Sequence, residues 1–407
     1  MYLITYVDRV NIATAASDIK RELGLSNTQL GLVLSAFGYP YLLFQVFGGW
    51  IGDRFGPRRT LFLCGVIWAI ATILTGLASG LLMLFLMRVL LGVGEGATFP
   101  VATRAMQNWT PMARRGFAQG ITHSFARLGN AVTPPVVAWL IVAITWRGAF
   151  VALGSVSLLW VISWVVYFRD NPSDHPAVTP EELDRLPNRG VPEKKQRPAV
   201  PWRALTRRMA PVTIVYFCYG WTLWLYLNWL PSFFLHEYKL EIAKSALFSS
   251  AVFFAGVVGD YLGGVISDAV LHRTGDLKRA RRNVVMAGFL GSFVCLLPVF
   301  FTTNLVVIIL SLGAAFFCAE IVIGPMWSIP MDIAGKFSGT AAGMMNSGSA
   351  LAAILSPLTF GIVIDKTGDW HLPFVGSLGL LLLGALLAPF MHPERPFEPE
   401  LDNRVIV

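Results

Sequence analysis

The sequence predicts an all-α membrane protein with twelve transmembrane helices in two pseudo-symmetric six-helix bundles. Three observations carry that prediction. Apolar residues make up 55% of the 407 residues and charged residues only 14%, whereas a soluble chain carries about 25% charged residues. The apolar residues come in long runs, such as 61–80, 151–167 and 371–391, and a bilayer-spanning helix needs roughly 20 of them. One hydrophilic stretch, 170–208, divides the runs into six and six.

In order, the spans are expected near 1–17, 27–52, 59–78, 81–106, 115–144, 147–169, 209–234, 246–270, 284–302, 304–331, 338–364 and 371–391. The opening MYLITYVDRVNIA already reads as helix interior, so part of the first helix is expected upstream of Met1. Residues 1–169 then form the first bundle, 170–208 a linker, 209–391 the second bundle and 392–407 a tail. The linker is rich in Pro, Glu, Lys and Arg, the composition of a solvated connector.

Basic residues orient the chain. Of 32 Lys and Arg, 23 fall on the side of the termini and linker. Six (Lys20, Arg21, Arg147, Lys239, Lys244 and Lys366) fall on the other side, and Arg9, Arg88 and Arg127 fall within spans. The positive-inside rule therefore puts both termini and the linker in the cytoplasm. The net charge of +8 is read as topology and not as a nucleic-acid footprint. Cys64, Cys218, Cys295 and Cys318 stand alone in apolar runs, without metal or redox spacing. No metal cluster, nucleophile elbow or phosphate loop is seen, so neither cofactor nor enzymatic activity is expected.

Arginine and acid within apolar helices are the candidate working parts, because each costs at least about 2.5–3.5 kcal/mol there without a partner. Arg9 can grip a carboxylate through parallel hydrogen bonds, and Tyr6, one turn earlier, shares its face. Asp8 points about 100° away, toward another helix or a proton. Arg88 and Glu95 are two turns apart, about 10 Å along the axis, so each needs another partner. Asp8 facing Arg88 is one candidate pair. Glu95 is the candidate proton carrier. Arg127 suits either a second anion contact or a position in the vestibule or at a lipid phosphate, with His123 one turn away. Asp260 and Glu320 are further acids, and Asp260 fits a structural bond as well as coupling. Asn228 is the polar residue of its aromatic-rich span expected to reach the site; Trp327 and Ser328 are further candidates.

Two stretches echo one another. Gly49, Asp53, Arg54, Gly56, Arg58 and Arg59 follow the second span; Gly264, Asp268, Arg273 and Gly275 follow the eighth. Parallel repeats suit two bundles rocking about a central site. The first stretch resembles the loop between helices 2 and 3 of the major facilitator superfamily, G-x-x-x-D-R-x-G-x-R-R. That resemblance implies a gate: Asp53 near a helix start in the other half, Arg54, Arg58 and Arg59 in inter-helix contacts, and Asp268 in a weaker second copy lacking the adjacent Arg.

Tyr6-Val-Asp8-Arg9-Val-Asn11 and Arg88-x6-Glu95 also resemble helices 1 and 4 of its anion:cation symporter family. This implies Arg9 and Tyr6 for substrate, with Tyr41 and Asn346 as further contacts, and Asp8, Arg88 and Glu95 for proton coupling. The expectation is a bacterial inner-membrane monomer that takes up a small organic anion with protons. A sugar acid (hexonate, hexuronate or aldarate) or an aromatic or dicarboxylic acid would fit. Anion exchange and a non-transporting sensor are the alternatives.

Overall fold

A computed structural model describes residues 1–109, 115–186, 201–334 and 338–397. Eight helical stretches among them are long and apolar enough to cross a bilayer. One, Phe125–Tyr167, has 43 residues, enough for two crossings, and breaks at Ile144 and Thr145. With α1 (Tyr2–Leu23), the pair α2 (Asn27–Ala36) and α3 (Gly38–Phe55), and the pair α5 (Leu81–Gly96) and α6 (Thr98–Trp109), they complete twelve traverses. These last three fall short of the apolar signal because they hold the buried charges or are broken.

The remaining elements are α4 (Pro57–Gly76), α7 (Arg115–Tyr167), α8 (Pro180–Arg185), α9 (Trp202–Glu237), α10 (Ile242–Thr274), α11 (Val284–Leu296), α12 (Leu305–Ile321), α13 (Ile323–Ala334), α14 (Ser338–Thr367) and α15 (Pro373–Leu387). Of the expected linker, a one-turn helix at Pro172–Asp174 and α8 are described; residues 187–200 and 398–407 lie outside the described residues.

Three traverses are broken for one reason. Proline has no N–H for the carbonyl four residues back. Pro40, Pro100 and Pro325 stand four residues after Ala36, Gly96 and Ile321, where α2, α5 and α12 end. Two of these breaks, at Ala97 and Val322, fall just after a buried acid, Glu95 and Glu320.

Turns between helices carry their own signals. Gly24 ends α1 in the left-handed conformation (φ 62°), and Ser26 with Gln29 forms a reciprocal cap on α2. Inside α7, Thr145 takes φ 66°, costly for a β-branched residue. That turn sends Trp146 Nε1 and Arg147 Nε to Glu22 (2.5 and 2.9 Å). Arg147 Nη1 also donates to the carbonyls of Gly76 and Ala78, closing the end of α4.

Close helix approach runs through glycine. A Cβ on Gly92 would meet the Phe37 carbonyl, and one on Gly94 the Trp68 backbone. In α10, Gly256, Gly259 and Gly263 lie against α12, and a Cβ on Gly263 would sit 2.2 Å from the Ile321 carbonyl. Outward faces carry Trp139, Leu159, Tyr261 and Leu386, exposed as lipid-facing residues are.

The two halves close on each other at the face away from the termini. The Asp365 carboxylate, near the end of α14, accepts from the N–H groups of Asn27 and Thr28 (3.0 and 2.5 Å), which start α2. Gly31 abuts Pro357, Gly38 abuts Ile354, and Gly361 abuts the Asn27 carbonyl. Ser17 meets His236 at 3.0 Å. At the terminus face the described ties stay within one half. Arg58 uses Nε and Nη2 on the Val165 carbonyl and its N–H on Asp170. Arg281 reaches Asp268 (3.0 Å) and Asp332 (3.1 Å), and Lys278 reaches Glu394.

Gly263→Ala should therefore lower thermal stability in detergent by about 1–3 kcal/mol, because backbone must yield. Its neighbour Gly264 faces open space, so Gly264→Ala should leave the melting temperature unchanged or higher. Equal losses in both would contradict this account of α10–α12 packing.

Candidate functional site

Two clusters of buried charge lie near the middle of the traverses. The first belongs to the first half. Arg9, two turns into α1, donates from Nε to Glu95 Oε2 at 2.5 Å, and the two side chains are 2% and 0% exposed. The guanidinium carbon lies 4.7–5.2 Å from the ring centres of Tyr6, Phe37, Tyr41 and Phe99. Four rings around one cation shut out water and add cation–π attraction. Arg9 Nη2 and Glu95 Oε1 are buried without hydrogen-bond partners. The pair thus keeps one donor and one acceptor in reserve.

Asp8 and Arg88 complete this cluster. Ser157 of α7 donates to Asp8 Oδ2 at 2.7 Å. The direct Asp8–Arg88 pair suggested by spacing is not formed. Arg88 stands within electrostatic reach of Asp8 and Glu95, its guanidinium 5.4 Å from the Phe37 ring and its Nε unpartnered. Two guanidinium groups face two carboxylates, so the cluster is neutral when all four are ionised.

The second cluster joins the halves. Arg127 of α7 pairs with Asp260 of α10 (3.3 Å) and Glu320 of α12 (3.2 Å). Tyr219 of α9 donates its hydroxyl to Glu320 Oε1 at 2.9 Å. Beside it, Trp327 Nε1 donates to the Tyr216 hydroxyl at 3.0 Å. Arg127 Nη1 is buried without a partner. Tyr6 lies within reach of both arginines and so connects the clusters.

Among the expected contacts, the structure brings Arg9, Tyr6, Tyr41 and Glu95 together and places Arg127 and Trp327 at the second cluster. Asn228 differs: its amide donates to the Trp224 carbonyl of its own helix (2.8 Å). Tyr219 is instead the α9 side chain on the charges. Ser328 likewise donates to its own helix, at Gly324. Asn346 lies half-buried where α14 packs on α9. Among the gate residues, Arg58 ties its own half, Arg59 is exposed, and Asp268 meets Arg281, which supplies the arginine its own motif lacks. The side chains of Asp53, Arg54 and His123 lie outside the described residues.

Phe37, Phe99, Ser157 and Tyr216 were not singled out from the sequence. Phe37 and Phe99 carry a usable signal: they stand one helical turn from Tyr41 and Glu95.

Twelve traverses, proline-broken helices at a charged centre and a contact face between two halves define a multi-pass membrane transporter. The family model described as Major Facilitator Superfamily matches residues 1–357 and again 273–406. The chain belongs to that superfamily. It is 49% identical to the probable sulfoacetate transporter SauU of Cupriavidus necator, over 97% of this chain and 92% of that protein. It is 29% identical to a D-galactonate transporter of Escherichia coli, over 94% and 91%. Among solved structures, it superposes with a TM-score of 0.80 on a bacterial homolog of the human lysosomal transporter Spinster, at 17% identity, over 98% of this chain and 96% of that one. For a D-xylose-proton symporter the TM-score is 0.77 at 15% identity, over 97% and 95%. Superfamily proteins of this kind are transporters and not enzymes, in keeping with the absence of catalytic motifs in the sequence.

Removing one member of a buried pair strands the other charge, at a cost of about 3–5 kcal/mol. Arg9→Met should lose about that much stability in detergent, and Arg9→Met with Glu95→Gln should recover most of it. A double variant as unstable as the single one would show that the pair is not coupled.

Proposed function

We propose that this transporter takes up a small organic anion together with protons, by alternating access. The observation that carries the reading is the buried Arg9–Glu95 pair, with a guanidinium donor left over inside an aromatic box. An incoming carboxylate or sulfonate is a better-matched partner for Arg9 than Glu95, because it can take two parallel hydrogen bonds. Once displaced, Glu95 is a carboxylate in an apolar enclosure without its cation, and it takes a proton instead. Substrate entry and proton binding are thereby linked at one arginine.

Arg88 and Asp8 keep the surroundings neutral while the exchange occurs. Asp8 holds its Ser157 hydrogen bond, and Arg88, with its Nε unpaired, can turn toward either acid. Tyr41 and Tyr6 frame the box and set the shape of the anion.

The names of the relatives support an organic anion. Sulfoacetate and D-galactonate are small acid anions, and the hexuronate transporter of Bacillus subtilis, 27% identical, adds another. The first substrate to test is sulfoacetate, then the sugar acids.

In the orientation set by the basic residues, the termini face the cytoplasm of a bacterial inner membrane. The face sealed by Asp365, Asn27 and Thr28 is then the periplasmic one, and the conformation opens inward. Release of that seal, with closure at the terminus face by the 49–59 and 264–275 stretches, is the opposite half of the cycle.

In proteoliposomes with an imposed pH gradient, the wild type should accumulate the anion. Glu95→Gln should retain substrate binding and counterflow exchange but lose accumulation driven by the gradient. A Glu95→Gln protein that accumulates substrate like the wild type would overturn the assignment of the coupled proton.

A further inference from the structure

The two halves carry matching acids. Glu95 is the next-to-last residue of α5, and Glu320 is the next-to-last residue of α12. Each is followed by a helix break and then by a proline five residues on, Pro100 and Pro325. Each is fully buried, and each meets a guanidinium: Glu95 meets Arg9, and Glu320 meets Arg127. Each arginine keeps a buried, unpartnered nitrogen, Nη2 on Arg9 and Nη1 on Arg127.

The clusters differ in one respect. Asp8, Glu95, Arg9 and Arg88 balance, whereas Arg127 faces both Asp260 and Glu320. Among the described residues one negative charge is in excess there; Glu320 also accepts from the Tyr219 hydroxyl, and Tyr216 stacks on Tyr219. A buried carboxylate in excess of its cation is a place for a proton.

We propose that Arg127 and Glu320 form a second anion and proton site, the cross-half counterpart of Arg9 and Glu95, so that the transported molecule carries a negative group at both ends. This rests on the reading of the chain as a proton-coupled anion symporter. One anionic end takes Arg9. The other takes Arg127 through its free Nη1 and the donors released from Glu320. Glu320 accepts a proton from water on the open side and, now neutral, keeps its contact with Tyr219. Asp260 remains as the counter-ion that holds Arg127 to the second half. The proton returns to water when the anion leaves and Arg127 pairs with Glu320 again. Because Arg127 belongs to one half and both acids to the other, the exchange also changes what binds the halves together at their centre. A dianion taken up with two protons moves no net charge.

The test uses the purified full chain and two matched pairs of anions. Sulfoacetate is compared with isethionate, which keeps the sulfonate and has a neutral hydroxymethyl group in place of the carboxylate. D-Glucarate is compared with D-gluconate, which lacks one carboxylate. The wild type should prefer the dianion of at least one pair by about tenfold or more. Arg127→Gln should weaken that dianion by about 10–100-fold and abolish the preference, since it removes a charge-assisted contact, and leave the monoanion within about twofold. Glu320→Gln keeps shape and neutrality. It should retain the preference but carry one proton fewer per anion in proteoliposomes, and it decides the matter if Arg127→Gln does not fold. Preference retained in Arg127→Gln, or an unchanged proton count in Glu320→Gln, would overturn the proposal alone. A wild type that binds anions without preferring either dianion would do the same. A wild type that binds none of the four anions would overturn the anion-symport reading and this proposal with it.

Discussion

A guanidinium placed in the middle of a membrane helix must find its counter-charge there, and the rest of this structure follows from how Arg9 does so. Its partner, Glu95, comes from α5, so α1 and α5 are bound together at their centres. Four aromatic rings from α1, α2–α3 and α6 close around the cation. Such a pair is poor glue in itself, because desolvation consumes much of its attraction. In the proposed mechanism its value is that either partner can be exchanged for a third charge. A stable apolar contact in the same place would give the transporter nothing to exchange.

Proline breaks make that exchange local. Glu95 and Glu320 each sit where the helix ladder is interrupted a few residues later, so the halves of α5–α6 and α12–α13 can adjust about a charged hinge. Around these hinges the packing is unforgiving. Gly92 and Gly94 admit the backbones of α2–α3 and α4, and Gly259 and Gly263 admit that of α12. Each half is therefore tightly packed within itself, while contacts between halves are of a kind that can be remade. Asp365 on two backbone N–H groups, and Arg127 on two acids, are bonds that open without leaving an apolar scar.

Much of this was legible in the sequence. Twelve traverses follow from apolar runs, and the charges that stand in those runs, Asp8, Arg9, Arg88 and Glu95 among them, are the ones found buried. Partner choice was less legible, because it depends on the rotation and depth of helices far apart in the chain. Spacing correctly kept Arg88 and Glu95 from pairing directly, but could not tell that Ser157, 149 residues away, would hold Asp8. Asn228 looked like the polar residue of its span; a free turn of backbone carbonyl at Trp224 captured it first. Tyr219, an aromatic of the same span, is buried on Glu320. The arginine absent beside Asp268 arrives from Arg281, one short turn into the next traverse.

The central claim is that the substrate displaces a carboxylate from a buried arginine and that this carboxylate then takes up a proton. Proton uptake on binding measures it without transport: substrate binding heats are compared at one pH in buffers of different ionisation enthalpy. The account predicts that binding draws about one proton or more per anion from the buffer in the wild type. Binding heats that do not depend on the buffer would mean that no proton accompanies the anion, and would contradict it.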